Sequence, residues 1–325
     1  MTHGAPQHYY HPVSVTQSAA IPAFHAPVLA REVAKLLGNA RHVLDCTLGG
    51  GGHALALLES GTRVIGLDQD PAAIRAATES LAQYSAAGSF RAVQANFADV
   101  DDLPELAGAT FDGILLDLGV SSHQVDHEER GFTFREGAPL DMRMRPDAAV
   151  DAAHILNTSS EHELIRIFRE YADEPRSGRL AREIVRRRAS RPFRVSDDLV
   201  GAIRAVLGPR SGPSQFAPVF QAIRIAVNDE LGALERALPR LRQRLEPGGV
   251  VAVISYHSGE DRLVKHAFAE WSAACICPPR QPVCTCRGRP LGETVTRKPV
   301  RPTAAESQDN PRARSALLRA WRRAA

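Results

Sequence analysis

The chain has 325 residues, a net charge of +3, and a composition that is 44% hydrophobic and 24% charged. These values are typical of a globular protein in solution. No apolar run reaches the roughly 18 residues that a membrane-spanning helix needs, which excludes a membrane protein. Because the length exceeds that of most single domains, we expect either two domains or one domain with a large insertion.

The N-terminal segment has no basic region followed by an apolar one, so it does not resemble a secretory signal. Its His, Tyr, Pro, Ser and Ala residues follow no hydrophobic period. We therefore predict that residues 1–24 form a flexible tail and that the protein is cytoplasmic.

From residue 41 onward, short apolar runs alternate with helical segments, a pattern typical of a parallel sheet with crossover helices. The predicted strands are residues 42–45, 63–68, 90–94 and 111–117, with helices at residues 53–60 and 71–83 between them. This alternation predicts a doubly wound α/β fold.

The alternation stops near residue 125, and residues 125–225 contain helical stretches without a convincing strand. It resumes with a helix over residues 228–245, a Pro-Gly-Gly turn, a strand over residues 250–255 and a helix over residues 260–271. The segment 314–322 fits either a strand or a short helix. We predict a sheet domain formed by residues 25–124 and 226–325, interrupted by a helical domain, residues 125–225.

A glycine-rich turn, residues 45–53, lies between the first strand and a helix, where doubly wound sheets bind their ligand. From Gly49 the run satisfies G-x-G-x-x-A, which is typical of dinucleotide-binding proteins. Asp45, however, precedes the glycines as in the first motif of S-adenosylmethionine-dependent methyltransferases. A carboxylate there can hold the ammonium group of that cofactor through waters or the loop backbone, and it would repel a pyrophosphate. Asp45 could also be a simple turn or capping residue.

Two residues at or just after the ends of the second and third strands are further candidates for cofactor binding. Asp68 ends the second strand, where a carboxylate can accept hydrogen bonds from both ribose hydroxyls of either class of cofactor. Phe97 follows the third strand and could stack on an adenine ring or belong to the core.

Asp117 ends the fourth strand, where methyltransferases that act on amino groups carry their catalytic tetrapeptide. An exocyclic base amine is a poor nucleophile, so the site must accept hydrogen bonds from its N–H groups. Asp117 is the candidate for this role. Because the usual Pro-Pro-aromatic sequence is absent, Asp117 could instead bind the cofactor, with Ser121 or Ser122 near the substrate.

Polar residues also follow the strand at residues 250–255. Ser258-x-x-Asp261 resembles a capping box, which gives these two residues a structural explanation. His257 and Arg262 are left as candidates for a phosphate or base contact.

Two stretches of the chain are strongly basic. Residues 176–194 contain eight arginines and one acid, and the segment from residue 280 to the C-terminus contains 11 Lys or Arg residues and three acids. Such clusters are typical of proteins that bind a polyanion, and also of solvated helix faces.

Four of the five cysteines form two pairs, Cys275-x-Cys277 and Cys284-x-Cys286. They are too few for a disulfide scaffold in a chain of this length. Zinc sites usually space paired cysteines by two or more residues, because a one-residue spacer strains tetrahedral chelation. We therefore assign no metal ligand and expect a reduced loop, while the six residues between the pairs keep a structural metal as an alternative.

A long signature follows the fourth strand: Asp-Leu-Gly-Val-Ser-Ser-His-Gln-Val-Asp-His-Glu-Glu-Arg-Gly-Phe-Thr-Phe at residues 117–134, then Pro-Leu-Asp-Met-Arg-Met at residues 139–144. It resembles the signature of the bacterial ribosomal RNA small subunit methyltransferase H family. The resemblance extends through residues 25–29, the Gly-Gly-Gly-His turn, and residues 220–228, 255–262 and 310–315. It therefore covers nearly the whole chain after the tail.

This resemblance implies a Rossmann-like methyltransferase domain interrupted by a helical substrate-binding domain. It implies S-adenosylmethionine as cofactor, with contacts at Gly51, Gly52, His53, Asp68, Phe97, Asp117 and Gln124. It also implies methylation of N4 of a decoding-centre cytosine in 16S rRNA, within the small ribosomal subunit, with no membrane and no obligate protein partner. A dinucleotide-dependent oxidoreductase and a non-catalytic RNA-binding module are the alternatives.

Overall fold

The computed structural model describes residues 27–278, 281 and 283–325, except for the side chains of residues 122 and 123. The predicted tail, residues 1–24, lies outside the described residues. The strands are β1 (His42–Asp45), β2 (Arg63–Asp68), β3 (Phe90–Gln94), β4 (Phe111–Asp117), β5 (Leu245–Ser255), β6 (Gly292–Thr294) and β7 (Leu317–Arg323). The helices are α1 (Ala30–Leu37), α2 (Gly52–Glu59), α3 (Pro71–Ser80), α4 (Ala82–Ala86), α5 (Ser122–Asp126), α6 (Ala152–Thr158), α7 (Glu161–Ala172), α8 (Ser177–Arg188), α9 (Ser196–Leu207), α10 (Pro213–Asn228), α11 (Glu230–Gln243), α12 (Ser258–Ser272) and α13 (Ala304–Asp309).

The strands form one sheet in the order β3-β2-β1-β4-β5-β7-β6. Strands β1 to β5 pair in parallel, whereas β7 is antiparallel to both β5 and β6. The chain winds outward from β1 in one direction to β3 and returns to β4 on the other side of β1. This reversal is the topological switch point at which doubly wound sheets bind ligands, and the predicted Rossmann-like α/β fold is confirmed.

The first four strands have the predicted bounds, whereas β5 begins earlier, at Leu245, and takes in the predicted Pro-Gly-Gly turn. Phe111 pairs with Leu245 and Gly113 with Val250, so the Pro-Gly-Gly segment is a bulge inside a strand that pairs with β4 on both sides of it. The predicted helix over residues 228–245 is shorter, because Asp229 adopts a left-handed conformation with φ of 48° and separates α10 from α11. The C-terminal segment, which the sequence left undecided, contains β7.

The sheet is buried on both faces, as expected for parallel strands covered by crossover helices. Val43 and Leu115 pack with α1 and α2 on one face, while their chain neighbours Leu44 and Leu116 pack with α11 and α12 on the other. This alternation explains why β1 and β4 appear in the sequence as continuous apolar runs.

Helices α6 to α10 lie between β4 and β5 and form a separate apolar cluster that includes Phe168, Ile184, Ile203 and Ile223. The stretch between β4 and β5 is described throughout, and it contains no strand. The predicted boundaries of the helical domain, residues 125 and 225, stay a prediction. Of the helices in the described part of the chain, none has both the length and the apolarity needed to cross a membrane.

Candidate active site

A cavity of about 450 Å³ opens at the carboxyl ends of β1, β2 and β4. This volume is in the range of small-molecule and cofactor sites. Six of the seven predicted cofactor residues border it: Gly52, His53, Asp68, Phe97, Asp117 and Gln124. The seventh, Gly51, lies behind the wall and faces Leu81. Direct contact of these seven residues with a cofactor stays a prediction.

The loop between β1 and α2 depends on glycines for its path. Gly49 and Gly51 have φ angles of 50° and 85°, a region that side-chain-bearing residues rarely adopt. A Cβ atom on Gly51 would also lie only 2.9 Å from Cδ1 of Leu81. The loop therefore passes close to α3 and α4, and it directs the N-terminus of α2 toward the cavity.

Asp45 is buried beneath this loop rather than exposed on the cavity wall. Its Oδ1 accepts a hydrogen bond from the Thr47 N–H at 3.1 Å, and its side chain is 1% exposed. Burial raises the pKa of Asp45 to about 6. Asp45 does not border the cavity and bonds the loop backbone, so it can act on a cofactor through the loop. A simple turn carboxylate would make the same bond.

Asp68 links the glycine loop to the start of α3. Its Oδ2 accepts from the Gly49 N–H and its Oδ1 from the Asp70 N–H, both at 2.9 Å. Burial raises its pKa to about 6. Because each carboxylate oxygen has two lone pairs, both oxygens keep acceptor capacity for the hydroxyls of a ribose.

Asp117 lies where the segments after β1, β4 and β5 meet. The Tyr256 hydroxyl donates a hydrogen bond to its Oδ1 at 2.7 Å, and Nε2 of His53 lies 3.5 Å from its Oδ2. The Asp117 N–H donates to Oγ1 of Thr47, which ties the end of β4 to the glycine loop. Thr47 lies two residues after Asp45 in the glycine-rich turn, and this bond gives it a structural role.

The pKa values of both neighbours of Asp117 are raised above their usual values. Burial, with the charge and hydrogen bond of Asp117, raises the pKa of the Tyr256 phenol, so the hydroxyl stays protonated. Burial alone lowers the pKa of His53, but the carboxylates of Asp117 and Asp45 outweigh it and raise the pKa above its usual value. A hydroxyl donor thus faces Oδ1 of Asp117, whereas Nε2 of His53 lies near Oδ2 without forming a hydrogen bond to it.

Tyr256 is a site residue that the sequence pattern after β5 did not indicate, because that pattern pointed to residues 257, 258, 261 and 262. The N-cap of α12 is His257. The backbone N–H groups of Tyr256 and His257 both donate to Oε2 of Glu260. The predicted capping box of Ser258 and Asp261 is therefore wrong. Asp261 instead forms a two-bond ion pair with an arginine of β7, Arg319. Neither of the other candidates, residues 257 and 262, borders the cavity.

Gln124, which follows from the resemblance alone, is held by a residue that sequence reasoning missed. Its Nε2 donates to Oδ2 of Asp70 at 3.0 Å, and its Oε1 accepts from the Ser121 N–H at the same distance. Asp70 is 1% exposed and also pairs with Arg130, whose Nη1 lies 2.8 Å from Oδ2. The only sequence signal for Asp70 was its place before Pro71 at the start of α3, which indicates a helix cap.

A second cavity of about 200 Å³ adjoins the first, since Val120 and Arg224 border both. Its wall includes the rings of Phe132, Phe134 and Phe220. Arg224 is held by two hydrogen bonds of 2.8 Å to Glu230. Ser121 borders the larger cavity, whereas the side chain of residue 122 lies outside the described residues.

The larger cavity fits S-adenosylmethionine. On its wall, Asp68 keeps acceptor capacity of the kind that ribose hydroxyls need, and Phe97 has an aromatic ring of the kind that stacks on adenine. The N-terminus of α2, which begins at Gly52, presents backbone N–H groups to a carboxylate.

Comparisons with known proteins bear directly on this site. The model of the MraW methylase family matches residues 22–324. A ribosomal RNA small subunit methyltransferase H from Gemmatimonas aurantiaca is 64% identical over 96% of this chain and 99% of that protein. The protein of the same name from Heliobacterium modesticaldum is 49% identical over 91% of this chain and 97% of that protein.

A solved structure of an rRNA methylase from Streptococcus thermophilus has a TM-score of 0.39 and 10% identity, over 91% of this chain and 94% of that chain. A similarity this low adds nothing to the assignment. The family match and the relatives confirm S-adenosylmethionine as the cofactor, against the dinucleotide alternative. The chain belongs to the MraW methylase family and is an S-adenosylmethionine-dependent methyltransferase.

Proposed function

We propose that this methyltransferase modifies N4 of a cytosine in the decoding centre of 16S rRNA, within the small ribosomal subunit in the cytoplasm. The names of the relatives support rRNA as the substrate, and the resemblance of residues 117–144 implies the cytosine. The observation that carries the proposal is the position of Asp117. Its carboxylate stands on the wall of the cofactor cavity, three residues before Val120, which borders the aromatic cavity.

The chemistry of an exocyclic amine requires an acceptor such as Asp117. The lone pair of the amine is delocalised into the ring and becomes available only as an N–H group is held by an acceptor. Oδ1 of Asp117 already accepts the short bond from Tyr256, whereas His53 makes only a 3.5 Å contact with Oδ2. Oδ2 is therefore the atom that accepts the amine N–H and receives its proton. When bound, S-adenosylmethionine supplies the electrophilic methyl group.

The aromatic cavity is suited to a base that has left its stack. Enzymes that modify a base inside folded RNA draw it out and hold it against aromatic side chains. Phe132, Phe134 and Phe220 supply such surfaces, and the ring of Phe134 is fixed by an edge contact of 5.8 Å with Phe220. Because this cavity adjoins the cofactor cavity, a base held there lies next to the space that Asp117 borders.

The basic stretches divide into arginines that hold the fold and cations that remain on the surface. In α8, Arg188 donates to the carbonyl oxygens of Leu156 and Ser159, and Arg187 pairs with Glu183. Other cations are exposed in the C-terminal stretch: Arg297, Lys298 and Arg301, here called the 297–301 patch. We assign phosphate contacts to this patch, because contacts with the RNA backbone require accessible cations.

Transfer of labelled methyl groups tests this function. We would incubate the full chain and labelled S-adenosylmethionine with small subunits lacking the modification, with free 16S rRNA and with DNA, then identify the labelled nucleoside. The expected product is N4-methylcytidine at one position of the rRNA. Label on DNA or on cytosine carbon would contradict the proposal, and a complete lack of transfer would favour a non-catalytic RNA-binding module.

The variant Asp117→Asn keeps the size of the side chain but removes the proton acceptor, so we expect transfer to fall by about 10²–10⁴-fold while RNA affinity is retained. Asp102→Asn makes the same change at an exposed residue outside the cavity and serves as the matched control. Equal turnover of the two variants would remove Asp117 from catalysis.

A further inference from the structure

The four clustered cysteines, which the methyl-transfer site does not use, are brought together by the fold. Cys275 and Cys277 follow α12, and Cys284 and Cys286 precede β6. Their four sulfur atoms all lie within 4.8 Å of one another. The two pairs therefore face each other across the loop, which overcomes the sequence argument that a one-residue spacer disfavours chelation.

The spacing of the sulfur atoms matches a tetrahedral zinc site. A Zn–S bond of about 2.3 Å places the sulfurs of a regular tetrahedron about 3.8 Å apart. Three pairs, Cys275–Cys284, Cys277–Cys284 and Cys275–Cys286, have Sγ atoms 3.8 Å apart, and Cys284–Cys286 has 3.5 Å. A disulfide requires about 2.05 Å, so the sulfurs are spaced for a shared ion rather than for bonds to one another.

The loop that carries the cysteines has no apolar core to hold it. None of its described residues between 273 and 290 is buried, and the apolar side chains Ile276 and Val283 are 45% and 69% exposed. A loop of this length without secondary structure is uncommon in a compact protein unless a disulfide or a bound metal orders it. A metal ion bound by thiolates would link the two ends of this loop, whereas thiols alone are weak hydrogen-bonding groups.

The surroundings of the cluster suit thiolate ligands. The Ile276 N–H donates to the sulfur of Cys286 at 3.3 Å, and backbone donors of this kind commonly support metal ligands. Next to Cys286, Arg287 places a guanidinium group against α12, where it donates to the Ala273 carbonyl and pairs with Glu270. Four thiolates and one divalent ion leave net negative charge, and the chain places this cation directly after Cys286.

We propose that Cys275, Cys277, Cys284 and Cys286 bind one zinc ion. Four protein ligands leave no open position, so the site is structural rather than catalytic. The ion closes the loop between α12 and β6, and β6 is a three-residue edge strand that pairs with β7. This proposal does not rest on the RNA substrate proposed above.

Metal analysis of the full chain without an affinity tag tests the proposal. We expect one zinc ion per chain by elemental mass spectrometry, and the absorption of tetrahedral thiolate coordination after exchange for cobalt. Replacing all four cysteines by serine should abolish both signals. Val283→Ser, in the same loop, leaves the ligands intact and should keep them. Zinc retained by the four-serine variant would place the ion elsewhere in the chain and overturn the proposal.

A measurement on the unaltered protein covers the case in which the four-serine variant does not fold. With zinc bound, the four cysteines should resist alkylation, and a strong chelator should expose them together with a protease-sensitive site between residues 273 and 290. Four cysteines that react at once in the protein as purified, before any chelator is added, or a mass lower by the hydrogens lost in disulfides, would overturn the proposal.

Discussion

Substitution of Gly51 by alanine tests whether the glycine loop is shaped by its contact with Leu81 as well as by its backbone angle. Gly61 provides a matched control, because its φ angle is 86° against 85° at Gly51, yet nothing lies within 4 Å of a Cβ atom there. Left-handed backbone costs a residue with a side chain about 1–2 kcal/mol. Both variants should lose this amount of unfolding free energy.

Gly51→Ala should lose more, because its Cβ atom would lie 2.9 Å from Cδ1 of Leu81. Leu81 is 1% exposed, so it has little room to rotate away. Overpacking of a core costs about 1–3 kcal/mol, which we expect as the difference between Gly51→Ala and Gly61→Ala. The movement of the loop should also weaken binding of S-adenosylmethionine in the first variant alone.

Urea unfolding followed by circular dichroism gives the free energies, and titration calorimetry gives the cofactor affinity. In a Leu81→Ala background the clash is absent, so the extra cost of Gly51→Ala should disappear. Equal destabilisation by Gly51→Ala and Gly61→Ala in the natural background would refute the contribution of Leu81. Unchanged cofactor affinity in Gly51→Ala would show that the cavity does not depend on the path of the loop.

Tyr256→Phe removes a charge-assisted hydrogen bond to Asp117 worth about 1.5–3 kcal/mol, so single-turnover methyl transfer should slow by roughly 10–100-fold. An unchanged rate would show that the bond does not contribute to methyl transfer. Burial raises the pKa of Asp45 from 3.8 to about 6, so between these pH values the native state binds more protons than the unfolded chain. The free energy of unfolding therefore falls as the pH rises through this range, by at most about 3 kcal/mol. Asp45→Asn should reduce this fall in urea unfolding from pH 4 to 8, and an identical pH profile would contradict the assignment. Neutralising the 297–301 patch with glutamine should make the salt dependence of RNA binding shallower by about two in the slope of log K against log salt, and an unchanged slope would place the phosphates elsewhere.

The strands of the sheet could be predicted because burial on both faces leaves a direct mark on the sequence. β1 and β4 are apolar runs that end in a polar residue at the sheet edge, and their bounds agree with prediction. The start of α12 could not be predicted in the same way. Ser258 is the better N-cap by residue type, but Glu260 accepts from the N–H groups of residues 256 and 257, so the helix is capped at His257.

Asp70 shows a second limit of sequence reasoning. Its local pattern indicates a helix cap, and it does cap α3 by accepting from the Ala72 N–H. The same carboxylate also holds Gln124 and Arg130, which are 54 and 60 residues away along the chain. These partners depend on how the segment after β4 folds back over β2, which no local pattern encodes.

The strand order explains why the site can lack the usual Pro-Pro-aromatic sequence after Asp117. β4 lies between β1 and β5, and in a parallel sheet the residues that follow three adjacent strands emerge at one edge. Tyr256 therefore comes from the neighbouring strand and reaches Asp117 across 139 residues of sequence. Its ring lies against Gly119, where a Cβ atom would be 3.4 Å from Cδ2 of the tyrosine. An aromatic ring thus stands beside the carboxylate of Asp117, and it comes from a neighbouring strand instead of from the next residues of the chain.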